Sequence, residues 1–120
     1  MSKSWIIIAG ISGFAGVALG AFGAHGFRDS LPPDMLEIYK TGVLYQLIHS
    51  VVLLALALAA GNAFEFSKWF FFAGIILFSF SLYFYAVTGI TFLSYFTPVG
   101  GVCFLIGWLS LVWTAVKKKK

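Results

Sequence analysis

Apolar residues along this chain come in long blocks, without the period-two alternation that marks strands or barrel walls. Four blocks are long enough to matter: about 5–24, 43–60, 69–88 and 98–116. The hydrocarbon core of a bilayer is about 30 Å thick, and a helix needs roughly 20 mostly apolar residues to cross it. Backbone amides inside lipid must bond within their own segment, so the blocks predict helices. The expected architecture is all-α, a four-helix transmembrane bundle forming one integral membrane domain over residues 1–120.

The residues between blocks set the expected ends. Pro32-Pro33 excludes helix behind it, and Asp34 followed by Glu37 resembles a capping box that starts a helix at Met35. Met35, Leu36, Tyr39 and Val43 share a face, so the second helix is expected to begin outside the core and then enter it. Ser67 is the expected cap of the third span and Thr97-Pro98 of the fourth, while Gly61-Asn62 closes the second. Lys3, an apolar run and the small residues Ala21 and Gly23 imitate a secretory signal. The run is long for a signal core, so it is expected to remain as a span.

Composition sharpens this reading. With 61% hydrophobic and 10% charged residues, the chain lacks the polar stock to coat a water-soluble domain. Its net charge of +4 comes from Lys117 to Lys120, since Lys3, Arg28, Lys40 and Lys68 balance Asp29, Asp34, Glu37 and Glu65. A basic tail without a basic fold argues against nucleic acid as a partner. Lys3, Lys68 and the tail lysines fall at one end of the bundle, and Arg28 and Lys40 at the other. The positive-inside rule then predicts cytoplasmic N and C termini and a multi-pass protein of the cell inner (plasma) membrane. Trp5, Trp69, Trp108 and Trp113 lie towards helix ends, where headgroup layers favour such rings. The single cysteine, Cys103, can form no internal disulfide and reads as a small packed residue.

Small and polar positions supply the candidate chemistry. On a helical wheel Ala9, Gly13, Gly16, Gly20, Gly23 and Ala24 fall within about 100° of one another, a smooth stripe that lets another span, or another copy, approach closely. Gly100, Gly101 and Gly107 offer the same on the fourth span. Tyr45, Gln46 and His49 lie around one side of the second helix, with His49 roughly 9 Å into the core when counted from Val43. Buried in lipid they need partners, so they are expected to face the bundle interior as a polar cluster in its outer half, with His25 near the boundary and Tyr83 adding a hydroxyl. Ser79 and Ser81 can bond back to their own helix. The cluster reads either as interhelical hydrogen bonding or as an anchor for lipid, quinone or haem. No acidic residue lies in any span, no nucleophile has a base and orienting acid, and no metal-ligand spacing occurs. Catalytic residues, metal and cofactor are accordingly expected to be none.

Several phrases, one per span and in order, resemble the YgdD-like small membrane proteins, a family classed as domain of unknown function 423. They are "GAFGAHG" at residues 20–26, "YQLIH" at Tyr45 to His49, "FSFSLY" at Phe78 to Tyr83, and "TPVGG" followed by Gly107-Trp108. The resemblance implies a four-helix integral membrane protein of unassigned role and carries over no catalytic residue. The family pattern places a glycine between the two serines of the third motif, where this chain has Phe80; that departure bears on how closely the third helix packs. Together the readings favour a non-enzymatic accessory or scaffold subunit, or a self-associating bundle, with lipid, a second copy or a larger membrane complex as partner. The alternative is a binder or carrier of a small apolar or amphipathic molecule.

Overall fold

The computed structural model describes residues 2–59 and 64–118, and among these every regular element is helical. Four helices are long and apolar enough to cross a membrane: Lys3–Gly23, Pro33–Leu58, Glu65–Thr88 and Thr91–Lys117. The second and third helices form the centre. The first packs against the second and the fourth against the third, and the first and fourth share no backbone contact.

The helix ends follow local chemistry that the sequence reading partly misassigned. Ser2 caps the first helix, its hydroxyl accepting the Trp5 amide at 3.3 Å. The second helix starts at Pro33, two residues before the expected Met35, because a proline fits the first position, where no amide partner is needed. Asp34 lies in the first turn and is not the cap. Ser67 does not cap the third helix, which starts at Glu65; it is buried and bonds the Ser110 hydroxyl. Thr97-Pro98 likewise lies inside the fourth helix, whose α-helical part begins at Phe96 after a 3-10 turn at Thr91–Tyr95. Gly89, at φ 72°, ends the third helix in the left-handed conformation and donates its amide to Tyr85. The predicted stop at Gly61-Asn62 lies outside the described residues.

Two helices contain a wide π turn, at Leu19–Gly23 and at Ile75–Ser79. Such a turn disturbs the i to i+4 ladder, and near the first one the Leu19 carbonyl accepts the Tyr39 hydroxyl at 2.7 Å. Three glycines of the first helix sit where the second helix comes close. Going down the first helix, Gly16, Gly20 and Gly23 face Leu47, Val43 and Tyr39 going up the second, one turn per step. A side chain at Gly23 would overlap the Tyr39 ring. The stripe is thus filled by the neighbouring span along Gly16, Gly20 and Gly23, whereas Gly13 has nothing within 4 Å of where a Cβ would stand.

The third and fourth helices interlock large against small, with the Phe71 ring against Gly107 and the Phe104 ring against Gly74, while Gly100 lies directly against the backbone at Leu77 and Phe78. Ser67 with Ser110, and Ser81 with Thr97, continue the same register at the two ends. Phe80, where the family pattern has glycine, lies beside this seam, lining an apolar groove with Ile11 and Ile76 on one side and one with Leu93 and Phe96 of the fourth helix on the other.

A direct contrast tests the seam. Gly100→Ala would drive a Cβ into the Phe78 backbone and is expected to destabilise by about 1–3 kcal/mol, as overpacking does. Gly101→Ala, whose nearest neighbour would be the Phe78 ring at 3.9 Å, is expected to be neutral or stabilising by up to about 1 kcal/mol. Thermal unfolding in detergent reads both.

Candidate functional site

The second helix carries the polar residues that connect the bundle. Gln46 is 1% exposed; its amide N–H donates to the Ser12 carbonyl of the first helix at 2.9 Å, and its side-chain oxygen accepts the Tyr83 hydroxyl of the third at 2.6 Å. Around it the Ser12 and Ser50 hydroxyls bond each other at 2.6 Å, and the Ser79 hydroxyl donates to the Gly42 carbonyl at 2.8 Å. Ser79 thus reaches across to the second helix and does not bond back to its own, as the sequence reading had it. The Ser81 hydroxyl does bond back, to the Phe78 carbonyl, while meeting Thr97.

One turn on, His49 is 4% exposed and connects to the fourth helix. Its Nδ1 lies 2.8 Å from the Tyr45 carbonyl, and its Nε2 accepts the Trp108 indole N–H at 3.1 Å. These partners select one neutral tautomer, with the proton on Nδ1, because a carbonyl can only accept and an indole N–H can only donate. The ring stacks on Phe104 at 3.8 Å and 9°, with Phe71 and Tyr45 at 5.6 and 6.0 Å. Iron ligation through Nε2 would require Trp108 to leave, and ligation through Nδ1 would require breaking the bond to Tyr45.

The sequence reading grouped His25, Tyr45, Gln46, His49 and Tyr83. The structure brings the last four together around the second helix, as two adjoining units. Gln46 with Tyr83 faces the first and third helices; His49 faces the third and fourth, with the half-exposed Tyr45 packed beside it. His25 stands apart: it is exposed, in the short turn Ala24–Gly26, and lines a groove with Arg28 and Lys40. The Pro33–Leu58 helix starts well before Val43, the residue from which depth was counted, so Tyr45 and Gln46 fall at its middle and His49 one turn further towards Leu58. Missed entirely was Trp108, read as a headgroup ring, whose N–H instead completes His49. No sequence spacing links residues 49 and 108, which is why only the fold reveals the pair.

A second polar group closes the end near the N-terminus. The Trp5 indole N–H donates to Glu65 Oε2 at 3.1 Å, and Glu65 pairs with the buried Lys68 at 3.3 Å, tying the first helix to the third. Among the described residues no buried side-chain nitrogen or oxygen lacks a hydrogen-bond partner.

The fold and its paired interior define a small, all-helical, multi-pass membrane protein. The chain belongs to the family described as "Protein of unknown function (DUF423)", whose model matches residues 19–101. It is 42% identical over 120 residues to the UPF0382 membrane protein YwdK of Bacillus subtilis, covering 96% of this chain and 98% of that one. A UPF0382 membrane protein of Haemophilus influenzae is 41% identical over 124 residues, with 99% and 98% covered. The UPF0382 inner membrane protein YgdD of Escherichia coli is 38% identical over 125 residues, with 99% and 94% covered. No solved structure matches the chain at a significant level. The family resemblance read from the four motifs is the family these comparisons give.

The Gln46–Tyr83 bond can be weighed by a double-mutant cycle. Tyr83→Phe is expected to lower stability by about 1 kcal/mol, and Gln46→Leu by more, because it strands the Tyr83 hydroxyl. The double variant should lose about 1 kcal/mol less than the two singles together, measured by unfolding in mixed micelles.

Proposed function

We propose that this protein is a non-enzymatic scaffold or accessory subunit of the cell inner (plasma) membrane, working through its exterior in contact with lipid and with other membrane helices, as a homo-oligomer or within a larger complex. The observation that supports this most is the closed polar interior. Gln46, His49, Tyr83, Ser50 and Ser79 are all engaged in bonds that hold helix to helix or close back on the second helix itself.

The second reading, a binder of an apolar molecule, draws support from a groove of about 320 Å³ between the first and third helices, lined by Ile11, Ala15, Phe72, Ile75 and Phe80 with Gln46 at its polar edge. Lipid or quinone fits that lining better than haem, since His49 lies on the other side of the second helix among Phe71, Phe104 and Trp108.

Charge distribution supports cytoplasmic termini. Lys3, Lys68 and the four tail lysines share one end and Arg28 and Lys40 the other, six basic residues against two.

Two measurements check these readings. Purified in mild detergent, the protein is expected to run as a multimer or with a stoichiometric membrane partner; a strictly monomeric particle, with stoichiometric quinone or lipid extracted from it, would favour the second reading. In intact cells, a membrane-impermeant maleimide is expected to label Ser30→Cys but not Lys117→Cys, in a background with Cys103 replaced by serine.

A further inference from the structure

The histidine of "GAFGAHG" has no part in the buried network, yet it is not isolated. His25, Arg28 and Lys40 border an open groove of about 290 Å³ whose remaining walls are Gly20, Ala21 and Leu36. Three elements meet there: the end of the first helix, the turn that follows it, and the second turn of the Pro33–Leu58 helix. Acidic residues are available nearby in Asp29, Asp34 and Glu37, but neither Arg28 nor Lys40 pairs with any of them. The Glu65–Lys68 pair is the only ion pair among the described residues. A guanidinium, an ammonium and an imidazole therefore converge on one groove with no ion-pair partner at hydrogen-bonding distance, which leaves their donors free for an anion.

The walls say what kind of anion. Gly20 and Ala21 present almost no side chain, so an elongated apolar group can lie against the first helix, and the exposed Phe22 and Val17 extend the apolar surface beside it. The groove thus has a cationic rim at the edge of the span and a hydrocarbon floor within it, matching an amphiphile with a negatively charged head and an acyl tail. We propose that His25, Arg28 and Lys40 form a binding site for the headgroup phosphate of an anionic phospholipid, with one acyl chain lying over Gly20 and Ala21. The guanidinium supplies paired donors to phosphate oxygens, the lysine a point charge, and the imidazole a further N–H donor. This site is independent of the scaffold reading and stands or falls separately from it.

Native mass spectrometry of the full chain, released from nanodiscs of phosphatidylcholine mixed with phosphatidylglycerol, tests the assignment. The wild type is expected to retain phosphatidylglycerol in preference to phosphatidylcholine. Affinity is expected to fall about five-fold for each cation removed in Arg28→Gln and Lys40→Gln, the weight a basic side chain carries near an anionic surface. Lys3→Gln with Lys117→Gln, at the opposite end, is expected to leave retention unchanged. Ala21→Trp, which fills the groove and keeps every charge, is expected to abolish it. All substituted side chains are exposed, so melting curves should match wild type. Equal retention of the two lipids, or retention indifferent to Arg28→Gln and Lys40→Gln, overturns the site. Retention indifferent to Ala21→Trp overturns the groove, and displacement of lipid by equimolar inorganic phosphate overturns the lipid in favour of a free anion.

Discussion

Tyr83 and Gln46 hold each other because hydrocarbon gives neither another partner. In water such a bond competes with solvent and contributes little; in lipid a lone hydroxyl or amide is expensive, so the bond dictates which faces turn inward. The rest of the bundle is arranged to make that pairing possible. The second helix carries both Gln46 and His49, which is why it sits at the centre and touches all three others. The glycine seams then bring the backbones near enough for short side chains to span the gap.

Close approach and wide turns act together. Where Gly23 lets Tyr39 cross to the first helix, the Leu19 carbonyl at the start of the π turn is there to receive its hydroxyl. A turn that would otherwise weaken the helix becomes a point of attachment. Between the third and fourth helices the same economy appears as phenylalanine against glycine, made twice with the large residue changing sides, and as backbone against backbone at Gly100. Neither helix could be shifted by a turn without setting ring against ring, so register is fixed by shape as firmly as by hydrogen bonds.

The spans were legible in the sequence because their signal is hydropathy summed over some twenty residues, which no local exception can hide. Ends were less so. Ser67 and Thr97 look like caps when judged by residue type, but both hydroxyls are used across a helix seam, and only the partner's position, Ser110 or Ser81, distinguishes the two uses. The polar residues of the second helix were visible as a group because they share one helix and its spacing. Trp108 was not, since its tie to His49 depends on the fourth helix lying alongside, and His25 was misgrouped because chemical type suggested a companionship that the helix end prevents. Likewise, the glycine stripe announced a tight contact without saying with what.

The two tightest seams join neighbours in sequence, first helix with second and third with fourth. During translation the leading hairpin can therefore close on its own, zipped by Gly16, Gly20 and Gly23, before the trailing one exists. At that stage the Gln46 oxygen still lacks the Tyr83 hydroxyl, and His49 Nε2 still lacks Trp108. A half-made chain so carries two orphaned acceptors on one helix, and arrival of the trailing hairpin quenches both.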